Sequence, residues 1–321
     1  MNQRSKQIVA ALGVVLFAPF AWAQSEGDLR LQDGDNPRFG RVEIFHAGQW
    51  GTVCDDFWDD VDAGVACRQL GYDDGEADDF WGLTFVPGVD PIWMDNVACA
   101  GGEATLASCP FNGFGSHNCV HSEDAGAYCS GCPASPQAAC QTGFQKAKLG
   151  VVEKAAGKEK LSFKMVKGPA LTHSALGDPF GSVGSFEDPR AKYSLCIYDD
   201  ADVLAGEVEV TGSPDLCGTK PCWRALGPSG FPSGLLYKDK ATAEDGVLKL
   251  LLKAGLPGKT KIVLKGKNNA AKGLTNLPSI APALAGSSHA TVQFYTDEAA
   301  CYTSTLTNVA KNDVTSFKGT N

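Results

Sequence analysis

The sequence predicts two disulfide-stapled domains of different chemistry, a small α+β unit followed by an all-β, sandwich-like domain. Three observations carry this. A length of 321 residues suits about two domains at roughly 100–200 residues each. The charge is divided along the chain: residues 25–131 hold 20 acids and four bases (Arg30, Arg38, Arg41, Arg68), whereas residues 132–321 hold 17 acids and 22 bases. No lysine occurs between Lys6 and Lys146. The 12 cysteines fall into two sets of six, Cys54, Cys67, Cys99, Cys109, Cys119 and Cys129, then Cys132, Cys140, Cys196, Cys217, Cys222 and Cys301, so each half can pair internally. At 43% apolar the chain can bury a core, and a net charge of −9 argues against a nucleic-acid binder with its basic footprint.

The first 23 residues read as a signal peptide. Arg4 and Lys6 precede an apolar run from Ile8 to Phe17, and Ala21-Trp22-Ala23 supplies a cleavage signal. The apolar stretch contains Pro19 and falls short of the roughly 20 residues a membrane span needs. An exported chain beginning near Gln24, secreted or periplasmic and without a transmembrane segment, is the expectation. Export turns an even cysteine count into disulfides rather than thiolate chemistry.

In the first half, residues 41–45 alternate as a strand and end at the turn signal Ala47-Gly48, and residues 50–53 form the second arm of a hairpin. Asp59 or Asp60 caps a helix whose apolar stripe is Ala63, Ala66, Cys67 and Leu70, and Gly71 ends it. Residues 103–108 allow one further helical turn.

These residues resemble a known family. Gly40-Arg-Val-Glu-Ile-Phe-His-Ala-Gly-Gln-Trp-Gly-Thr-Val-Cys-Asp-Asp56, Ala66-Cys-Arg-Gln-Leu-Gly71, Pro91-Ile-Trp-Met-Asp-Asn-Val97 and Gly115-Ser-His-Asn-Cys-Val-His-Ser-Glu-Asp-Ala-Gly126 are similar, in order, to a scavenger receptor cysteine-rich (SRCR) domain over about residues 28–130. The resemblance implies a curved antiparallel sheet cradling a helix, with disulfides Cys54–Cys119, Cys67–Cys129 and Cys99–Cys109. Tyr72 and Arg38 stand near the places of the two extra cysteines of the eight-cysteine form, which marks this as the six-cysteine form.

The acid density needs compensation, since like charges crowded on a small domain repel. A Cys54–Cys119 bridge brings Asp55 and Asp56 toward Glu123, and hard carboxylate oxygens on loops suit Ca²⁺ or Mg²⁺. The family resemblance implies a cation site at these three residues and a second involving Asp95 and Asn118, with Asp90 nearby in sequence. Other acids read more plainly. Residues 73–79 lack the twelfth-position Glu of an EF-hand and are expected as a solvated acidic loop. His117, Cys119 and His121 do not make a zinc site if Cys119 is bridged. Residues 42–45 with Trp50 resemble a bacteria-binding segment of some relatives, but an ordinary hairpin core is the preferred reading.

Residues 131–137 read as a linker, and the second domain is assigned residues 138–321. Strand-like runs recur there at 161–166, 193–198, 207–210, 246–252, 261–264 and 290–295, separated by turn clusters, which indicates a β-sandwich or barrel. Lys249, Lys253, Lys259, Lys261, Lys265 and Lys267 read as a solvated strand face with charged edges. Parts of this half are similar to uncharacterised β-rich modules of exported bacterial proteins. For its cysteines the expected pairs are Cys132–Cys140, Cys217–Cys222 and Cys196–Cys301. Walker, Gly-x-Ser-x-Gly and His-Glu-x-x-His patterns are absent. The functional expectation is a non-catalytic, exported binding protein that recognises polyanionic, glycan or protein ligands through a Ca²⁺-loaded acidic surface. An extracellular enzyme with a catalytic second domain, or a structural envelope component, is the alternative.

Overall fold

The computed structural model describes residues 24–34, 37–77, 86–177, 179–180, 192–211, 216–228, 233–273, 275–296 and 300–321. The signal-peptide reading and the last two residues of the 73–79 acid run lie outside them.

The first domain is one sheet folded over one helix. Its strands are β1 (Leu29–Gln32), β2 (Phe39–His46), β3 (Gln49–Val53), β4 (Asp74–Ala77), β5 (Ile92–Met94) and β6 (Gly126–Ser130), in the order β4-β6-β2-β3-β5 with β1 also on β2. Pairing is antiparallel except between β3 and β5. β2 and β3 form the expected hairpin, turned by Ala47 (φ 50°) and Gly48 (φ 87°); two consecutive left-handed residues give the turn that matches strand twist. The helix α1 (Asp60–Gln69) starts where the sequence places it. The Asp59 carboxylate accepts from the backbone N–H groups of Val61 and Asp62, and the Asp62 side chain reciprocates on Asp59. Val42, Ile44, Val53, Val65, Met94 and Leu106 close the core between helix and sheet. Val42 and Ile44 are wholly buried and serve packing, whereas Phe45 and Trp50 are half-buried and pair edge to face outside that core.

One expectation changes here. The acid run from Asp73 is not wholly loop: Asp74–Ala77 pairs with β6 as an edge strand. Gly75 and Ala77 turn inward and Asp74 outward onto Arg68, 2.8 Å away. The alternation is there, but the inward positions are too small to announce a strand.

The second domain packs two sheets face to face. Four strands, β9 (Lys192–Tyr198), β10 (Leu204–Thr211), β17 (Ala290–Thr296) and β18 (Ala300–Leu306), run in the order β10-β9-β17-β18. Eight more strands make the larger sheet. They are β7 (Lys146–Val152), β8 (Lys160–Val166), β13 (Trp223–Leu226), β14 (Gly234–Lys238), β15 (Val247–Lys253), β16 (Lys261–Lys267), β19 (Asn308–Asp313) and β20 (Ser316–Thr320). Their order is β13-β14-β15-β16-β8-β7-β20-β19. A small hairpin, β11 (Leu216–Cys217) and β12 (Lys220–Pro221), completes the set. Leu195, Ile197, Val292 and Phe294 of the first sheet meet Leu149, Phe163, Leu250 and Leu264 of the second in one core, with Phe163 stacked on Phe294 at 6.3 Å between ring centroids.

All 12 cysteines are bridged. Cys54–Cys119, Cys67–Cys129, Cys99–Cys109 and Cys217–Cys222 pair as expected from the sequence. The other two pairs are corrected: the structure joins Cys132 to Cys196 and Cys140 to Cys301. Strand register explains why. Cys196 on β9 lies opposite Gln293 of β17, and Cys301 on β18 lies opposite Tyr295 of the same strand. The two cysteines thus sit on either side of β17 and two residues out of step, at least about 9.5 Å apart from the two strand spacings alone, beyond the roughly 7 Å limit for a bridge.

The expected linker is a docked segment. Gly131, Cys132 and Pro133 are buried, Ala134 N–H donates to Gly71, and Leu204 N–H donates to Ala134. Gln137 exchanges two hydrogen bonds with Gln293, at 2.9 and 2.8 Å. Arg38, fully buried, crosses the junction from the first domain to Ser194 Oγ (3.1 Å) and the Lys192 carbonyl (3.2 Å), and its guanidinium lies 4.6 Å from the Tyr295 ring centroid. The first domain therefore packs on the outer face of the four-stranded sheet.

Candidate functional site

Three loops converge at the end of the first sheet because Cys54 and Cys119 are joined, with Cα atoms 6.2 Å apart. Backbone pairing tightens the convergence: Cys54 N–H donates to Met94, Asp55 N–H to Glu123 and Ala125 N–H to Val53. The candidate ligands hang from these loops.

Asp95 is the most informative of them. It is 1% exposed; its Oδ2 accepts from Asn96 and Asn112 at 3.1 and 3.2 Å, and its Oδ1 is buried with no hydrogen-bond partner. A buried carboxylate oxygen without a donor is costly. Asp56 and Asp95 each place an oxygen, together with the sulfurs of Cys54 and Cys119, in a group whose atoms all lie within 4.8 Å of one another. Asn118 Oδ1 and Asp56 Oδ2 are each 4.0 Å from the Cys119 sulfur. Bridged sulfurs are not thiolates, so the effective donors are the Asp56 and Asp95 carboxylates and the Asn118 amide oxygen. Asp55 and Glu123 are not in that group. Asp55 is exposed, while Glu123 accepts from the Val120 N–H at 2.9 Å and caps the short turn that follows Cys119. Asp90 is also exposed and outside it. The structure thus gathers Asp56 and Asp95, with the Asn118 amide oxygen beside the same bridge, and leaves Asp55 and Glu123 outside the group.

Part of the acid density is neutralised inside the domain. Glu43, 1% exposed, lies 2.5 Å from both Arg30 and Arg41. Arg41 also reaches Asp33 at 2.9 Å and comes within 4.0 Å of Asp124, which pairs with His121 at 3.1 Å. Sequence inspection misses this network, and it misses Asn112, whose place beside Asp95 depends on the Cys99–Cys109 loop. No local signal marks either.

A second polar cluster sits where the domains meet. A cleft of about 300 Å³ is lined by Asp73, Lys192, Glu207, Glu209, Asp245 and Asn276, among others. Burial, aided by Glu209 and Asp73, pushes the Glu207 carboxyl up to about 7, against the Cys132 N–H that donates to it at 3.0 Å. Burial likewise raises Glu209 and Asp245.

Comparison with known proteins settles the family. The family model described as scavenger receptor cysteine-rich domain matches residues 32–130. The third SRCR domain of murine neurotrypsin is 51% identical, with 32% of this chain and 94% of that one covered and a TM-score of 0.29. The chain belongs to the scavenger receptor cysteine-rich family. The SRCR domain of mouse MARCO, solved in a dimeric form, is 43% identical, covering 35% of this chain and 100% of that one, with a TM-score of 0.27. The family model leaves the second domain outside its bounds. SRCR membership implies an extracellular ligand-binding role, which the disulfide framework fits. No helix among the described residues is long and apolar enough to cross a membrane.

Proposed function

We propose that this SRCR protein is an exported, non-catalytic binding protein that takes a divalent cation, Ca²⁺ in the first instance, and uses it to recognise anionic, glycan or protein ligands. The observation that carries the reading is Asp95, whose Oδ1 is buried without a partner and whose carboxylate brings an oxygen within 4.8 Å of one from Asp56 beside the Cys54–Cys119 bridge. An all-oxygen donor set of two carboxylates and an amide carbonyl fits a hard cation, whose remaining positions water can fill. Asp56, Asp95 and Asn118 would hold the ion, with Asp55 and Glu123 as rim carboxylates. The ion supplies positive charge on a surface that is otherwise acidic, and an anionic group on the ligand completes its coordination. Asn112 holds Asp95 in place by its amide hydrogen bond.

The test is calorimetric titration of Ca²⁺ into the full chain and into Asp56→Ala and Asp95→Asn variants. A loss of tenfold or more in affinity in both variants supports the site, and unchanged affinity in both refutes it. Circular dichroism of each variant separates loss of the ion from loss of the fold. Capture of glycans and cell-surface proteins with and without chelator then asks whether recognition depends on the ion. Screening the full chain for hydrolase activity tests the enzyme alternative.

A further inference from the structure

The outer face of the eight-stranded sheet carries a charge pattern that the SRCR reading does not use. Six consecutive strands, β14, β15, β16, β8, β7 and β20, contain eleven lysines and no Asp or Glu. Burial alternates along these strands so that one set of apolar residues enters the core and all eleven lysines point out, together with Leu236, Leu251 and Val263, which pair across the middle of the same outer face. Eight are exposed, and Lys249, Lys261 and Lys267 are half-buried.

Register then sets like charges opposite one another. Lys148 faces Lys164, Lys160 faces Lys267, Lys253 faces Lys261, and Lys249 lies between Lys238 and Lys265. Directly opposed like charges destabilise a sheet. None of the ion pairs among the described residues involves these lysines. A face that served solubility alone would intersperse both signs; this one is single-signed in a protein of net charge −9. It also lies across the sandwich from the first domain, which occupies the outer face of the other sheet.

We infer that this lysine face is a binding surface for an anionic polysaccharide, independent of the divalent cation. Charge complementarity selects an anion, and shape selects a flexible chain. Six strands extend about 24 Å across at 4.8 Å per spacing, and a twist of roughly 20° per strand turns the face by about 100°. A planar bilayer meets only part of such a surface, whereas a flexible polymer follows it. The outward positions carry no aromatic side chain, so the stacking platform of a single-stranded nucleic-acid site is missing. Lysine ammonium groups act as point charges without the planar fork of arginine, which suits sulfate or carboxylate groups repeated along a sugar chain.

The experiment titrates the full chain with heparin oligosaccharide and with polygalacturonate, with and without EDTA, across a salt series. Binding is expected to survive EDTA and to weaken steeply with salt, by a slope of about 0.7 in log K for each lysine engaged, as for a single anionic strand. Charge reversal of Lys148, Lys164, Lys249 and Lys265 to Glu should lower affinity at least tenfold and reduce the slope by about 3. Reversal of Lys220, on the β11–β12 hairpin and off this face, should change it little. Lysine acetylation of the unaltered protein, read by mass spectrometry with and without heparin, gives the same answer without a variant: protection should fall on these strands. Abolition by EDTA, protection elsewhere, no binding, or stronger binding to phosphatidylserine vesicles or single-stranded DNA would each overturn the inference. The EDTA arm separates it from the SRCR cation site, because either can fail while the other stands.

Discussion

Replacing Arg38 by Ala removes the side chain that joins the two domains. The guanidinium is wholly buried and donates to Ser194 Oγ, to the Lys192 carbonyl and to Tyr128 Oη, at 3.1, 3.2 and 3.3 Å. Hydrogen bonds from a charged donor contribute about 1.5–3 kcal/mol each, so three give a gross loss of roughly 5–9 kcal/mol. Releasing a buried cation also removes a desolvation penalty of several kcal/mol. The net cost is therefore on the order of 3 kcal/mol, to which lost packing on Tyr295 adds. For a chain of this size that is a fall in melting temperature of roughly 6 °C or more. Differential scanning calorimetry reads it directly, and limited proteolysis across residues 131–137 reports whether the docked segment opens. Arg38→Lys should lie between, because an ammonium keeps the charge and loses the fork. A shift below about 1 °C in Arg38→Ala, with no new cleavage, would show that the junction does not depend on this residue.

Three further outcomes follow from the same geometry. Glu207 titrates near 7 in the folded state because it is buried, above the range of an exposed carboxyl, so the folded state favours its protonated form. That contribution is complete below about pH 4.5 and is lost as pH rises through 7; thermal stability should fall between pH 5 and 8, and Glu207→Gln should flatten the change. Removing the Cys140–Cys301 bridge, which spans 161 residues, should cost roughly 5 kcal/mol, against roughly 2 kcal/mol for Cys217–Cys222, which spans 5; calorimetry of the two double-serine variants measures the difference. Asp59→Ala removes the side-chain half of the cap on α1, leaving the Asp59 N–H on Asp62, and should cost about 1 kcal/mol in denaturant melts.

Local signals in the sequence are legible and non-local ones are not, for physical reasons. Asp59 announces α1 through its own side-chain chemistry, and Ala47-Gly48 marks the hairpin turn, since both signals act within four residues. The disulfides of the first domain came through family resemblance. Pairing in the second domain rests on which strands flank β17, and no spacing of Cys132, Cys140, Cys196 and Cys301 contains that information. β18 to β20 escaped notice because Thr, Asn and Lys dilute their alternation, and β13 and β14 are short beside turn-rich sequence. The acid run at Asp73 concealed an edge strand behind Gly75 and Ala77. At the site, Asp56, Asp95 and Asn118 were named from resemblance, but not Asn112, which reaches Asp95 only once the loop closed by Cys99–Cys109 folds back. Arg38 stood out as a missing cysteine's neighbour and proved to be the clasp between domains.

The most direct measurement of the central claim is the Ca²⁺ affinity of the full chain beside that of Asp95→Asn. A carboxylate oxygen buried without a donor predicts saturable binding in the former and a loss of tenfold or more in the latter, with the fold intact. Equal affinity in the two proteins, or no binding in either, contradicts the account.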